Sequence, residues 1–179
     1  MGFVVFCAAL GPLYGAEATE RPTESQVKAA YLYNFGKFVR WPGSNRDTFD
    51  ICVLGKNSFD TELVATVKGE AIDGKPIAAK TIAAVQEASN CRILFVSAPE
   101  ESRVKFILST IKRTGILTVS DIPGFAARGG MIELVNEEGR IRFEVNLAAV
   151  NQAGLTVSSE LLKVAVKVTG MNSAPEIGK

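Results

Sequence analysis

The stretch Thr118–Leu147, TVSDIPGFAARGGMIELVNEEGRIRFEVNL, holds a cluster of residues whose types could do chemistry. Ser120 and Asp121 form a hydroxyl–carboxylate pair, and Arg128 precedes the flexible Gly129-Gly130 pair. A serine nucleophile needs an adjacent general base, and the chain contains no histidine to serve as one. The stretch therefore favours recognition by contact, and a minor enzyme such as a hydrolase is a third, disfavoured interpretation.

Cys52 and Cys91 could carry redox chemistry. They lie in the predicted buried strands Phe49–Leu54 and Cys91–Val96. If these strands are neighbours, their spacing of about 4.8 Å allows a disulfide bond. Closing a loop of about forty residues would stabilise the fold by roughly 4 kcal/mol in the chain-entropy model. Three interpretations stay open: a structural disulfide, a redox-responsive disulfide, and two buried free thiols.

Phosphate-binding and metal-binding motifs are weak or missing. Leu54-Gly55 ends a predicted strand ahead of a helix that Asn57 or Ser58 could cap, but no G-x-G-x-x-G motif occurs. An anion could bind at that helix N-terminus, but the residues favour an ordinary strand-to-helix turn. The carboxylates are scattered, without the spacing of metal ligands. The sequence therefore predicts no cofactor and no metal site.

The elements that position these residues alternate between helix and strand. Thr23 and Gln26 predict a capping box, and a helix follows whose predicted core face repeats at spacings of three and four: Val27, Ala30, Tyr31, Asn34, Phe35 and Phe38. The alternative for this face is a partner-binding groove. Strands then alternate with helices through Ile116–Ser120, which predicts a parallel sheet with right-handed crossovers.

The last third of the chain has a different pattern. Met131–Asn136 and Arg140–Asn146 are joined by Glu137-Glu138-Gly139, which predicts a β-hairpin, and Glu160–Val168 predicts a final helix that Ser158 or Ser159 caps. Together the patterns predict one α/β domain over residues 25–170. It has a mixed, mostly parallel sheet flanked by helices, with a C-terminal β-hairpin and helix.

The N-terminus and the composition indicate an exported protein. Phe3–Leu10 is apolar and Ala16-Glu17-Ala18 follows, which predicts a signal peptide over residues 1–18, with a buried N-terminal element as the alternative. Residues 19–24 predict a flexible lead, and residues 171–179 a polar tail. Removing the signal peptide leaves Cys52 and Cys91, the even count that an oxidising compartment favours. The net charge of +1 without a basic run argues against nucleic-acid binding.

Eight segments of the chain form an ordered set of motifs: Lys28–Pro42, Ile51–Gly55, Cys91–Ser97, Leu117–Phe125, Gly129–Ile132, Arg142–Ala149, Ala153–Leu155 and Ser158–Leu162. This set, in the same order throughout, resembles the YfiR family of bacterial periplasmic proteins. The resemblance covers about residues 25–168.

The resemblance implies a small periplasmic protein without enzymatic activity. The best-known member binds and represses the periplasmic sensor domain of an inner-membrane diguanylate cyclase, which lowers cyclic di-GMP and biofilm formation. Redox stress or an outer-membrane lipoprotein releases it, and such proteins form homodimers. Cys52 and Cys91 match one disulfide position of that pattern, whereas the second cysteine pair is absent from the 118–147 stretch. The partner here could also be another inner-membrane sensor protein.

The composition favours Ile122–Arg128 as the partner-binding surface. Ile122, Pro123, Phe125 and Arg128 are predicted contact residues, with Phe125 as an exposed aromatic anchor. The alternative is that Phe125 packs under its own loop. The second function hypothesis is a periplasmic small-molecule sensor whose ligand lies in a crevice at the carboxyl ends of the strands.

Overall fold

The computed structural model describes residues 21–43, 46–56, 59–112 and 114–171. The predicted signal peptide, residues 19–20 of the lead, nearly all of the polar tail, and the predicted helix caps Asn57 and Ser58 lie outside the described residues.

A mixed sheet of eight strands forms the centre of the described structure. Numbered along the chain, the strands are β1 (Val39–Arg40), β2 (Phe49–Leu54), β3 (Ala71–Ile72), β4 (Lys75–Ile82), β5 (Ile93–Val96), β6 (Leu117–Ser120), β7 (Ile132–Glu137), β8 (Arg140–Asn146), β9 (Thr156–Val157) and β10 (Lys167–Thr169). The spatial order of the large sheet is β10-β8-β7-β6-β5-β2-β4-β3, and β1 pairs with β9 in a separate ribbon.

Most neighbouring strands of the large sheet run parallel. The pairs from β4 through β2, β5 and β6 to β7 are parallel, β7 and β8 form an antiparallel hairpin, and β3 is antiparallel to β4. This confirms the predicted α/β fold with a mixed, mostly parallel sheet. Glu138 and Gly139 turn the hairpin with φ values of 51° and 78°. Two positive φ values suit a tight two-residue hairpin turn, and glycine adopts one of them without strain.

Helices cover both faces of the sheet and create two cores. The helices are α1 (Glu24–Phe38), α2 (Asp60–Val67), α3 (Val104–Thr110), α4 (Leu147–Gln152) and α5 (Ser159–Val164), with 3₁₀ helices at Val85–Asn90 and Ala98–Arg103. Side chains alternate across a strand, so Ile51 and Val53 enter the core beneath α1 and α2, whereas Cys52 and Leu54 enter the smaller core beneath α3. The smaller core also holds Phe125.

The prediction of the buried face of α1 is wrong: the face that packs in the core is rotated about the helix axis relative to the predicted one. The predicted capping box of Thr23 is present, but the buried side is Ala29, Leu32, Phe35 and Gly36. Phe38 is 38% exposed, and Asn34 is also exposed. A Cβ on Gly36 would lie 2.4 Å from Ile72 Cδ1, so the helix turns its smallest residues toward the sheet for close approach.

The C-terminal helix is shorter than predicted. Ser158 caps α5 by accepting a hydrogen bond from the Leu161 amide, but the helix ends at Val164. The Val166 amide donates to the Phe143 carbonyl, and Lys167–Thr169 then pairs with β8 as a parallel edge strand. Without this segment the edge of β8 would carry unpaired backbone groups, and Lys167–Thr169 satisfies them. Local sequence preference does not predict such a pairing, because the two segments are distant along the chain.

Candidate functional site

Residues 121–131, called here the 121–131 loop, connect β6 to β7. The loop is held by a buried carboxylate: Glu133 is 7% exposed, and its Oε1 and Oε2 accept the Gly124 and Ala126 amides at 2.8 and 3.0 Å. A carboxylate accepting two amides forms charge-assisted bonds, the stronger kind of hydrogen bond. Glu133 therefore gives the loop a defined shape.

Side chains of β6 and β8 also support the loop. The buried Ser120 hydroxyl donates to the Val96 carbonyl at 2.7 Å and accepts the Ile122 amide at 3.0 Å. Thr118 Oγ1 accepts the Met131 amide, and the Asn146 side-chain amide donates to the Ala126 carbonyl. The Ser120 side chain is fully buried, and both of its hydrogen bonds join backbone groups. Its hydroxyl is therefore not positioned to act as a nucleophile.

Of the four predicted contact residues, the structure buries two and exposes two. Ile122 and Phe125 are 1% and 0% exposed and belong to the smaller core, so the prediction that Phe125 is an exposed anchor is wrong. The physical reason is Gly130, where a Cβ would lie 2.2 Å from the Phe125 ring. The missing side chain leaves room for the ring beneath its own loop. Pro123 and Arg128 are exposed; their role in partner binding stays a prediction.

The exposed residue Arg128 is anchored to the neighbouring 3₁₀ helix. Its Nη2 donates to the Glu101 carbonyl at 2.7 Å, and its Nη1 lies 3.9 Å from the Glu101 carboxylate. The exposed surface of the loop thus comprises Pro123, Gly124, Ala127, Arg128 and Gly129. This surface presents the Arg128 cation, and the hydrogen bonds to Glu133 hold the backbone of the loop in place.

An ion pair ties the start of the loop to α1. Lys28 Nζ lies 2.6 Å from Asp121 Oδ2 and 2.5 Å from Glu24 Oε1. Burial acts to lower the pKa of Lys28, but the hydrogen bonds and charges of the two carboxylates outweigh it, and the pKa is raised above 10.5. Lys28 is therefore a permanent cation at physiological pH.

The outward side of α1 forms a shallow apolar groove beside this ion pair. The groove measures about 270 Å³ and is lined by Pro22, Gln26, Val27, Ala30, Tyr31 and Asn34. These residues include much of the face that the sequence predicts as core. The Tyr31 hydroxyl donates to the Ile141 carbonyl, so α1 is also fixed to β8.

Cys52 and Cys91 form a disulfide bond across β2 and the start of β5. Their Cα atoms are 5.8 Å apart, and the two residues are 1% and 2% exposed. The bond agrees with the two interpretations that contain a disulfide, structural or redox-responsive, and contradicts the interpretation of two free thiols. Cys91 lies two residues before β5, and Cys52 lies on the neighbouring strand β2, where its register partner is Leu94.

The carboxyl ends of β2 and β5, where the small-molecule hypothesis expects a crevice, are covered by the protein's own side chains. Ser97 Oγ donates to the Leu54 carbonyl at 2.6 Å. Gly55 has φ 85°, and a Cβ there would lie 3.0 Å from Glu100 Oε1. Glu100 is paired with Arg103 at 2.9 Å. A carboxylate at this position repels a phosphate, so the alternative of an anion at this turn is disfavoured.

Sequence reasoning missed Glu133 and Lys28 as organising residues of the loop. Glu133 sits between Ile132 and Leu134 in an alternating run, a pattern that predicts a solvent-facing carboxylate. Its only sequence signal is an acidic residue shortly after the Gly129-Gly130 pair. Lys28 carries no sequence signal for pairing with Asp121, because 93 positions separate them.

Comparisons with known proteins identify a family and a fold. The family model described as YfiR/HmsC-like matches residues 25–166. No curated protein sequence matches the chain. Within the described residues, no helix is long and apolar enough to cross a bilayer, and no cluster of three or more cysteine or acidic side chains could hold a metal ion.

Two solved structures are similar in fold. One is a conserved domain protein from Vibrio cholerae O1 biovar El Tor str. N16961, with a TM-score of 0.58 and 11% identity over 81% of this chain. The other is an ABC domain in complex with L-Trp from Streptococcus pneumoniae, with a TM-score of 0.55 and 12% identity over 80% of this chain. The chain spans 60% of the length of each. At these identities the likeness concerns the fold alone.

Proposed function

Because this chain belongs to the YfiR/HmsC-like family of periplasmic regulators in cyclic di-GMP signalling, we propose that it binds the periplasmic sensor domain of an inner-membrane signalling protein and represses it. The first candidate for that partner is a diguanylate cyclase, so that binding lowers cyclic di-GMP. The regulator itself performs no catalysis in this proposal.

The observation that carries the proposal is the defined shape of the 121–131 loop. Glu133 fixes two of its amides from below, and Arg128 is anchored on Glu101. A repressor must bind one state of its partner more tightly than the other. A surface that is already ordered before binding loses little entropy on association, which favours such discrimination.

Two neighbouring features supply the chemistry of an interface. The exposed Arg128 guanidinium can pair with a carboxylate of the partner, and arginine is enriched at interfaces. The α1 groove offers apolar contacts through Val27, Ala30 and Tyr31, and the Lys28–Asp121 ion pair joins α1 to the loop. We therefore assign the loop and the groove to the partner-binding side of the molecule.

Alanine-to-glutamate substitutions test the assignment. Ala127 is exposed in the loop, whereas Ala65 is exposed on α2 and belongs neither to the loop nor to the lining of the α1 groove. We expect Ala127→Glu to weaken binding to a purified cyclase periplasmic domain by roughly tenfold or more, since central interface residues each contribute above about 1 kcal/mol. Ala65→Glu should bind like the unmodified protein.

The effect of the protein on cyclic di-GMP in the cell is measured separately, in a deletion strain. Deleting the gene should raise cyclic di-GMP, and Ala65→Glu but not Ala127→Glu should restore the low level. An unchanged cyclic di-GMP level in the deletion strain would overturn the repressor role. Equal binding by both variants would remove the loop from the interface.

We also propose that the protein forms a homodimer and that an outer-membrane lipoprotein captures it. Sedimentation of the purified protein tests the dimer, because a monomer mass at micromolar concentration would contradict it. Binding of the lipoprotein should compete with the cyclase domain, and simultaneous binding of both would contradict capture.

A periplasmic small-molecule sensor is the second candidate, favoured by a cavity between α3 and α4. The cavity measures about 270 Å³, and Leu108, Ile111, Met131 and Ala153 contribute to its lining. Gly129 and Met131 belong to the 121–131 loop, so a ligand here would contact that loop. A thermal shift with an amino-acid or nucleotide panel, together with failure to bind any cyclase domain, would favour this candidate.

A further inference from the structure

A second cleft opens at the amino-terminal edge of the parallel sheet, the edge opposite the Gly55 turn. Its volume is about 350 Å³, and its lining includes Trp41, Arg46, Arg92, Thr114, Gly115 and Gly154. Arg46 precedes β2, Arg92 immediately precedes β5, and Gly115 precedes β6. The cleft has the size of a small-molecule site.

Arg92 is a largely buried residue whose guanidinium has no protein partner. The residue is 6% exposed, and its guanidinium makes no hydrogen bond or ion pair with any part of the chain that the structure describes. Its backbone is fixed in the sheet, since its amide donates to the Asp50 carbonyl and its carbonyl accepts the Leu117 amide. The guanidinium lines the cleft and reaches the solvent there, so its hydrogen-bond donors are free to bind an anion.

Arg46 brings a second cation to the same cleft. Its Nη1 and Nη2 donate to the carbonyls of Cys91 and Ser89 at 3.3 and 2.9 Å. Burial first, and then the positive charge of Arg46, lower the pKa of Arg92. Among the described residues that line the cleft, none is Asp or Glu. The pair of like charges thus has no counter-charge in the lining.

Trp41 adds an uncharged donor. Its Nε1 is buried and has no acceptor among the described residues. Its ring is held edge-on against Phe49, with centroids 5.1 Å apart. Buried polar groups in folded proteins nearly always have a hydrogen-bond partner, so this donor without an acceptor, in a residue that lines the cleft, indicates a missing acceptor.

We propose that this cleft binds a small molecule through an oxyanion group, a phosphate or a carboxylate, held by Arg92 and Arg46 with Trp41 Nε1 as a further donor. Arginine suits such a group because its planar guanidinium donates two parallel hydrogen bonds to two oxygens of one anion. The site is distinct from the 121–131 loop and does not depend on the proposed repressor function.

Calorimetric titration and thermal unfolding of the purified protein with inorganic phosphate, sulfate and citrate test the site, at fixed ionic strength. We expect a saturable rise in the unfolding midpoint. A response to phosphate and sulfate without citrate assigns a phosphate-like ligand, and the reverse assigns a carboxylate. No saturable response to any of the three would overturn the proposal.

Arg92→Met is the decisive variant, with Arg142→Met as its control. Arg142 is an exposed arginine of the hairpin and has no ion pair among the described residues. Arg92→Met should weaken anion binding roughly 10- to 100-fold, the factor expected for a hydrogen bond to a charged group. Without anion it should unfold at about the same temperature as the unmodified protein, because the Arg92 guanidinium makes no hydrogen bond or ion pair among the described residues that the variant would lose.

Two outcomes would contradict the site. A lower midpoint for anion-free Arg92→Met together with unchanged anion affinity would make Arg92 purely structural. If Arg142→Met loses as much anion affinity as Arg92→Met, the anion is attracted by the general positive charge of the surface and not by this cleft. Trp41→Phe keeps an aromatic ring against Phe49 and removes the indole N–H. Its affinity for the anion should fall several-fold while the fold stays intact. An unchanged anion affinity would exclude Trp41 from the site.

Discussion

Replacing Glu133 by glutamine tests whether one buried carboxylate gives the 121–131 loop its shape. In the protein, Glu133 Oε1 accepts the Gly124 amide and Oε2 accepts the Ala126 amide. Glutamine has nearly the same shape, but only one of its two terminal atoms accepts. One loop amide would then face an NH₂ group, so Glu133→Gln loses one bond and opposes two donors.

The expected magnitude follows from these two contacts. A hydrogen bond to a charged group contributes about 1.5–3 kcal/mol, and an unsatisfied buried donor costs about 1–3 kcal/mol. We expect Glu133→Gln to lower the free energy of unfolding by about 2 kcal/mol. If those ~2 kcal/mol are lost from the stability of the loop alone, the loop opens more often, and hydrogen exchange at the Gly124 and Ala126 amides should be roughly 30-fold faster.

Glu137→Gln is the matched control, because Glu137 lies on the same strand but is exposed. Surface substitutions usually stay within about 0.5 kcal/mol. Urea unfolding gives the free energies, and hydrogen exchange followed by NMR gives the two amides. Equal stability of the two variants, or unchanged exchange at Gly124 and Ala126 in Glu133→Gln, would refute the view that Glu133 fixes the loop.

Three further predictions concern the scaffold. Reducing the Cys52–Cys91 bond, which spans 39 positions, should cost about 4 kcal/mol in the chain-entropy model; thermal melts with and without reductant measure it, and an unchanged midpoint contradicts a stabilising role. Because the pKa of Lys28 is raised above 10.5, its contribution should be constant below that pH and be lost as pH rises through the higher folded value. Urea titrations of the unmodified protein and of Lys28→Met from pH 8 to pH 12 test this, because the other lysines and the tyrosines titrate in both and only the difference between the two curves reports Lys28. Gly130→Ala places a Cβ 2.2 Å from the Phe125 ring and should destabilise by about 1–3 kcal/mol; an additive Gly130→Ala/Phe125→Leu pair in a double-mutant cycle would contradict that contact.

The disulfide lies next to the proposed oxyanion cleft. The Cys91 carbonyl accepts a hydrogen bond from Arg46, and Arg92 is the next residue along the chain. A change in the position of Cys91 on reduction would therefore reach both cations of the cleft. Cys52 and Cys91 are the only cysteines among the described residues, so a change of redox state in this part of the chain would act on their bond.

The sequence by itself determined the elements that depend on neighbours along the chain. The apolar run Cys91–Val96 identifies a strand buried on both faces, and Glu138-Gly139 identifies the hairpin turn. The capping box at Thr23 is also local, as both of its bonds join residues three apart. Hydrophobic patterning and turn chemistry act over a few residues, so these predictions needed no tertiary contacts.

Tertiary structure decided which face of each element is buried and which distant residues meet. Periodicity shows that α1 has apolar positions, but close approach at Gly36 selects the buried side. Phe125 is buried because Gly130 lacks a side chain, which makes the loop a different surface from the one predicted. Arg46 and Arg92 meet because β2 and β5 are neighbours in the sheet, although 46 positions separate them. Burial and charge pairing depend on contacts between distant parts of the chain, and only the packed fold specifies them.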